Sequence, residues 1–389
     1  MRKDLWTLVL MCLLVSALSV SSFGSTSESS VQLPTEHIIK VPYTPMYENW
    51  SICGMASLKM QLEYFGADYP LPLLANIDWG YGTCYGNTPT EKWLFPYVAT
   101  PEGIIYTAKM LGCNVTAIGI EDEKEAWETL KGFLAQDIPV ITPWSFHVVL
   151  VVGYNESGEV PRVIFHNPSH PGFLLNPPPS FGLKSEGFNS TLGAYNSMPL
   201  DIWMLPFLWG FGWGTPLTEQ HEMIIARPDP GVKTEIPWGE IMARNAQKTL
   251  GQGEWAPRPS EWYGCMATRQ VARDIETGKL TPEDLAQIFA SIPGAAPTEW
   301  APHARSHTSA FLAAFGEATG SEDLKRASEY FDLAGYKWQE ANTLWKYVQN
   351  HPDEVPEEVY MPRLAQVFRQ IADYEEMAGN ALMRGAEYL

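Results

Sequence analysis

Basic residues are scarce in this 389-residue chain: 26 Lys and Arg stand against 45 Asp and Glu, a net charge of −19. So acidic a surface repels phosphate backbones and anionic lipid, which sets aside nucleic acid and electrostatic membrane binding. Cysteine is sparse too, five in all, and too few for a disulfide scaffold at this length. A comfortable membrane span needs about 20 apolar residues, and the apolar run Leu5 to Val15 falls well short of that. The C-terminal part shows no repeat period, which excludes a solenoid. What is present is a globular balance, 45% hydrophobic and 18% charged, with 15 Trp, 17 Tyr and 16 Phe to build a core. The length suits two domains of roughly 100–200 residues each.

Arg2 and Lys3 precede the apolar run, and a stretch rich in small residues, Ser16 to Ser30, follows it. That layout predicts a secretory signal peptide over residues 1–25, cut near Ser21 to Ser25. The expected location is secreted or extracytoplasmic, or membrane-anchored where the leader is retained. Cleavage removes Cys12 and leaves Cys53, Cys84, Cys113 and Cys265. An oxidising compartment permits a disulfide, and Cys84–Cys113 is the expected pair if one thiol stays free. Sequons at Asn49, Asn114, Asn155 and Asn189 fit export.

Apolar spacing predicts a helix from Cys53 to Phe65, stopped by Gly66. Residues 78–101 read as loop. A helix over 101–111, a strand over 114–120, a helix over 122–134 and a strand over 138–142 follow. The β-branched run from His147 to Tyr154 predicts a central buried strand, and Arg162 to His166 returns beside it as a hairpin. Pro168 to Pro216 is irregular and aromatic-rich, and its Leu200–Trp213 stretch reads as packed loop or helix closing the first domain. His221 to Ala226 closes the sheet. Beyond residue 232 strand signals stop. Helices are expected over 260–276, 282–291, 321–349 and 357–388, forming a second, all-α domain, most simply a bundle.

Cys53 opens a helix, where the dipole and free N–H groups lower a thiol's pKa. His147 heads a buried strand, so its ring lies at the end of the sheet. Asn167 ends the returning strand. An Asn there can accept the histidine's Nδ1–H and leave Nε2 to take the thiol proton. Cys, His and Asn in that order, each at an element's edge, predict thiol-based nucleophilic catalysis.

Val41-Pro-Tyr-Thr-Pro, then Cys53-Gly-Met-Ala-Ser-Leu to Tyr64-Phe-Gly, resembles the nucleophile helix of C39-like peptidases. Pro139-Val-Ile, the His147 strand with Asn167-Pro168, and His221-Glu-Met-Ile-Ile-Ala resemble that family's later motifs. The resemblance covers residues 37–230. It implies an α+β papain-like cysteine peptidase domain, an antiparallel sheet with a nucleophile helix, followed by the all-α domain over 232–389. It further implies acyl transfer from a peptide or protein substrate, without metal or organic cofactor. Such enzymes usually carry a Gln shortly before the cysteine as oxyanion donor. No Gln lies between Pro42 and Cys53. Asn49 is the expected substitute, with the Cys53 amide as second donor. Two rival readings use the same fold: an exported binding protein without the reaction, and a Cys-dependent acyltransferase.

Other residues invite a bland reading. His166 should point away from Asn167, and His170 lies in a loop. His303 and His307 stand four apart, the spacing of a metal-binding helix face, but no third ligand is evident. Cys265 opens a helix in Trp262-Tyr-Gly-Cys, with no strand-borne histidine after it. Tyr330, Trp338, Trp345 and Tyr374 read as helix-packing core.

Overall fold

The computed structural model describes residues 33–46, 52–78, 83–88, 92–96, 100–144, 147–168, 184–185, 193–204, 221–231, 235–256, 259–290 and 297–389. The expected leader, Asn49, His170, the Asn189 sequon and most of the aromatic stretch after Leu200 lie outside these residues. The chain divides into a short unit, Met1–Pro34, and a compact one, Thr35–Leu389. No helix among the described residues is long and apolar enough to cross a membrane.

The main sheet begins with β1 (Glu36–Ile38), followed by the helices α1 (Cys53–Tyr64) and α2 (Leu71–Asp78). A hairpin of β2 (Thr83–Asn87) and β3 (Lys92–Pro96) occupies part of the stretch expected to be loop. Then come α3 (Pro101–Met110), β4 (Cys113–Ile120), α4 (Glu123–Leu134), β5 (Val140–Trp144), β6 (His147–Asn155) and β7 (Arg162–His166). β8 (Lys184–Ser185), β9 (Asn196–Pro199), α5 (Leu200–Trp203) and β10 (His221–Pro228) complete this part. Strand order is β4-β10-β5-β6-β7-β9-β8, with β1 also on β6, and every pairing is antiparallel. β6 is buried from His147 through Tyr154, as its unbroken apolar run requires.

Local chemistry sets the ends of these elements. Thr100 accepts from the Gly103 amide to cap α3, and Asp122 accepts from the Glu125 amide to cap α4. Gly66 and Gly112, both at positive φ, stop α1 and α3. α1 differs, because Ile52 at its N-cap has no acceptor and its first-turn amides stay uncapped by a side chain. Its residues Cys53 to Leu58 are all buried, so it is a core helix rather than an amphipathic one. Gln61, fully buried, donates to the carbonyls of Pro139 and Ile224 and accepts from the Ala226 amide. One side chain thereby fastens α1 to β5 and β10.

The C-terminal region holds α6 (Trp238–Leu250), β11 (Glu261–Tyr263), α7 (Cys265–Glu276), α8 (Pro282–Ala290), α9 (Pro297–Thr319), α10 (Glu322–Asn350) and α11 (Glu357–Ala386). The helix expected from residue 260 starts only at Cys265. Glu261–Tyr263 instead pairs with β2, and so extends the hairpin into a three-stranded sheet. Strand structure therefore continues past residue 232. The two regions also share core: Leu324, Phe331 and Leu382 pack in the cluster that holds Val149 and Ile224, while Tyr85 and Leu94 pack with Trp338 and Phe368. A buried ion pair adds to this seam, because Arg305 bonds both Glu375 (Nε–Oε1 3.0 Å) and the Thr83 hydroxyl (2.9 Å). Trp338 and Trp345 are core, while Tyr330 and Tyr374 are half-buried.

Candidate active site

Antiparallel pairing brings the end of β7 beside the start of β6. His166 sits opposite Leu150, so the next residue, Asn167, continues towards His147. There the His147 Nε2–H donates to Asn167 Oδ1 at 2.8 Å. The nitrogen used is the opposite of the one expected from the sequence. Nε2 carries the proton and Nδ1 is the basic nitrogen of this tautomer.

Cys53 reaches the same end of β6 from α1. Backbone N–H groups of Val148, Gly54 and Cys53 itself point at its sulfur. Val148 follows His147 directly, and its carbonyl accepts from the Ser57 hydroxyl one turn into α1 (3.3 Å). Helix and strand are thus stitched together where the thiol and imidazole lie. Cys53 and His147 are each 4% exposed and Asn167 8%, so the group is closed to solvent.

Closure decides the electrostatics. Burial pushes the Cys53 thiol up to about 11, outweighing the three amides that favour thiolate. The expected lowering by the helix N-terminus is therefore present but outweighed. Burial likewise pushes His147 down to about 4, against the bond to Asn167. Burial thus disfavours the charged form of each group, thiolate and imidazolium alike. A neutral imidazole with Nε2–H fixed can accept a proton at Nδ1, as general-base catalysis requires.

The other sequence candidates fall elsewhere. His166 is fully buried; its Nε2 donates to the Val41 carbonyl (3.1 Å) and its Nδ1 accepts from the Tyr195 amide (3.0 Å). It is a cross-link with both nitrogens engaged. Cys53, Cys84, Cys113 and Cys265 are all free thiols, so the expected Cys84–Cys113 disulfide is absent. Cys84 lies in the β2 hairpin and Cys113 on the far edge of the main sheet, in different sheets. Cys265 is buried at the start of α7, its thiol on the Leu250 carbonyl (3.7 Å). His303 and His307 share α9, and no group of three or more metal-ligating side chains occurs among the described residues.

Two contributors escaped sequence reasoning. Tyr43 donates its hydroxyl to the Asn167 carbonyl (2.9 Å), and Gly193 accepts from the Asn167 amide (2.8 Å). Tyr43 stands within the Val41-Pro-Tyr motif and could have been singled out there. Nothing in the sequence around Gly193 signals its role.

Residues 38–172 match the family model described as Peptidase_C39 like family. This C39-like segment spans Cys53, His147 and Asn167, and it ends well before the helical region. No curated protein matches the chain. Among solved structures, the peptidase domain of Streptococcus ComA, a bi-functional ABC transporter involved in a quorum sensing pathway, is similar at 15% identity and a TM-score of 0.28. That likeness covers 49% of this chain and 98% of the other. UfSP from C. elegans is similar at 14% identity and a TM-score of 0.31, over 52% of this chain and 36% of that one. At these scores neither likeness bears on the chemistry.

Proposed function

We propose that the protein is an exported cysteine peptidase on a papain-like fold, cleaving an amide bond in a peptide or protein substrate. Cys53 attacks the carbonyl carbon, and His147 Nδ1 takes the thiol proton and later returns it to the leaving amine. Asn167 fixes the imidazole through Nε2–H. The Cys53 amide and Asn49 receive the oxyanion. The observation that carries this reading is the 2.8 Å His147–Asn167 bond at the end of β6 that also receives the Cys53 thiol. The C39-like match supports it. In keeping with the sequence organisation, residues 37–230 would supply the chemistry and the helical residues 232–389 would position substrate or partner.

Alkylation of Cys53 by iodoacetamide, read by mass spectrometry, tests the pairing. Cys53 should react faster at neutral pH than Cys113, which burial raises to the same value of about 11, because the His147 ring can take its proton as the bond forms, and His147→Ala should slow it at least tenfold. A Cys53 rate indifferent to His147 would refute the reading. One observation favours the rival, an exported binding protein without catalysis: the group is closed to solvent, and burial works against a charge on the thiol or the ring. A Cys53 that stays inert, together with a peptide panel left uncleaved, would select it.

A further inference from the structure

The segment from Thr35 to Met46 leads into the chain before α1, and from Ile39 to Met46 its hydrogen bonds among the described residues go to β6, to the end of β7 and to the residues after it. β1 pairs with β6, and the Ile39 amide donates to the Val152 carbonyl (2.8 Å). Val41 donates its amide to the Tyr195 hydroxyl (3.1 Å) and accepts from His166 at 3.1 Å. The Met46 amide donates to the Pro168 carbonyl (2.8 Å). Between them Tyr43 reaches the Asn167 carbonyl. The Tyr43 ring meets His166 edge-on at 5.6 Å, and His166 meets Tyr195 edge-on at 4.5 Å. Three rings thus form a bracket under the Asn167 peptide. Gly193 closes it from the other side: a Cβ there would lie 2.0 Å from the Tyr43 hydroxyl and 2.2 Å from the Asn167 oxygen. No side chain but hydrogen fits between the two.

We propose that Tyr43 is a positioning residue of the thiol site: its hydroxyl holds the Asn167 peptide, and so sets the Oδ1 that fixes the His147 ring. This rests on the reading of Cys53, His147 and Asn167 as one catalytic group. Burial is consistent with the role, since it pushes the Tyr43 phenol up to about 12 and keeps it a neutral donor at any working pH. The peptide before Asn167 is anchored at its N–H by Gly193 and the peptide after it at its C=O by Tyr43, so the Cα between them is fixed and the side chain it carries is aimed accordingly.

The test is a double-mutant cycle on the full chain, with the Cys53 alkylation rate as readout. Tyr43→Phe keeps the ring and removes one hydrogen bond. It should slow Cys53 about three- to tenfold at pH 7, the range of one neutral hydrogen bond, and leave Cys84 unaffected. In the Asn167→Ala background the same change should have no further effect, because there is no amide left to aim. Side-chain NMR of 15N-labelled His147 should show the Nε2–H tautomer losing population in Tyr43→Phe. Where Tyr43→Phe proves too unstable to purify, Gly193→Ala attacks the same bond from the opposite side and should reproduce the slowing. A Tyr43→Phe rate equal to wild type, or an equal loss with and without Asn167, would overturn the proposal. If His147→Ala also left Cys53 unchanged, the catalytic reading itself would fall, and the two failures are therefore distinguishable.

Discussion

Protonating His147 should cost the protein much of its stability, and the cost can be worked from the structure. The buried ring titrates near 4, against 6.5 for a free histidine. Between those values the unfolded chain binds the proton and the folded chain does not, so stability rises with pH across that window. The contribution is fully present above about pH 6.5 and is lost as pH falls towards 4. A gap of this size corresponds to roughly 3 kcal/mol. That is a large fraction of the about 5–15 kcal/mol that holds a typical domain together. His166 is lowered to about 4 by burial as well and acts in the same direction. Asp78 acts oppositely, because burial raises its carboxyl and the folded state then takes up a proton as pH falls. Comparison of wild type with His147→Gln cancels these background groups. Urea unfolding followed by tryptophan fluorescence should show the wild-type advantage shrinking by about 3 kcal/mol between pH 7 and pH 4. A difference that stays constant over that range would show that His147 is not held neutral by the fold, and the argument from burial would fail.

Other perturbations have defined outcomes. Glu375→Gln should destabilise by about 3–5 kcal/mol in urea, because it leaves the Arg305 guanidinium, 1% exposed, without its counter-charge. Gly153→Ala would place a Cβ 2.4 Å from the His37 carbonyl, so β1 should detach from β6, with hydrogen exchange accelerated at Ile39 and Glu156. Native-state alkylation followed by peptide mapping should label Cys84, the half-buried thiol, well before Cys113 and Cys265, which burial both shields and raises to about 11 and about 12. Equal rates for all three would contradict the burial pattern.

Periodicity carried the fold wherever an element is long and its neighbours are on one face. The 357–388 helix and the β-branched run from His147 were legible for that reason, and their observed bounds, Glu357–Ala386 and His147–Asn155, differ only at the ends. The β2–β3 hairpin was missed because Thr83-Cys-Tyr-Gly-Asn alternates weakly and takes its third strand from residue 261, about 180 positions away in sequence; pairing at such a distance leaves no local pattern. α6 and α9 were missed for a related reason. Trp238–Leu250 mixes Asn245, Lys248 and Thr249 into the buried face that holds Ile241, Met242, Ala246 and Leu250, with Asn245 and Lys248 donating to the carbonyls of Asn76 and Asp78, and Pro302 interrupts the helical pattern of Pro297–Thr319.

The candidate residues could be singled out in the sequence, but their electrostatics could not. Order and placement at the ends of elements pointed to Cys53, His147 and Asn167, but a local argument from the helix dipole gave the wrong sign for the thiol. The dipole and three amides act on the sulfur at short range. Desolvation comes from everything that covers it, including β6, which the sequence places about 95 residues later. That difference shapes the chemistry. Thiolate and imidazolium are each disfavoured by burial; under the proposed mechanism, proton transfer to Nδ1 would accompany attack on the carbonyl, when charge appears on the oxyanion and the ring together. A fixed ring then matters more than a low thiol pKa. A site that relied on a resting thiolate would tolerate a wobbling histidine, whereas under the proposed mechanism this one would depend on the Asn167 amide and on the contacts that hold it.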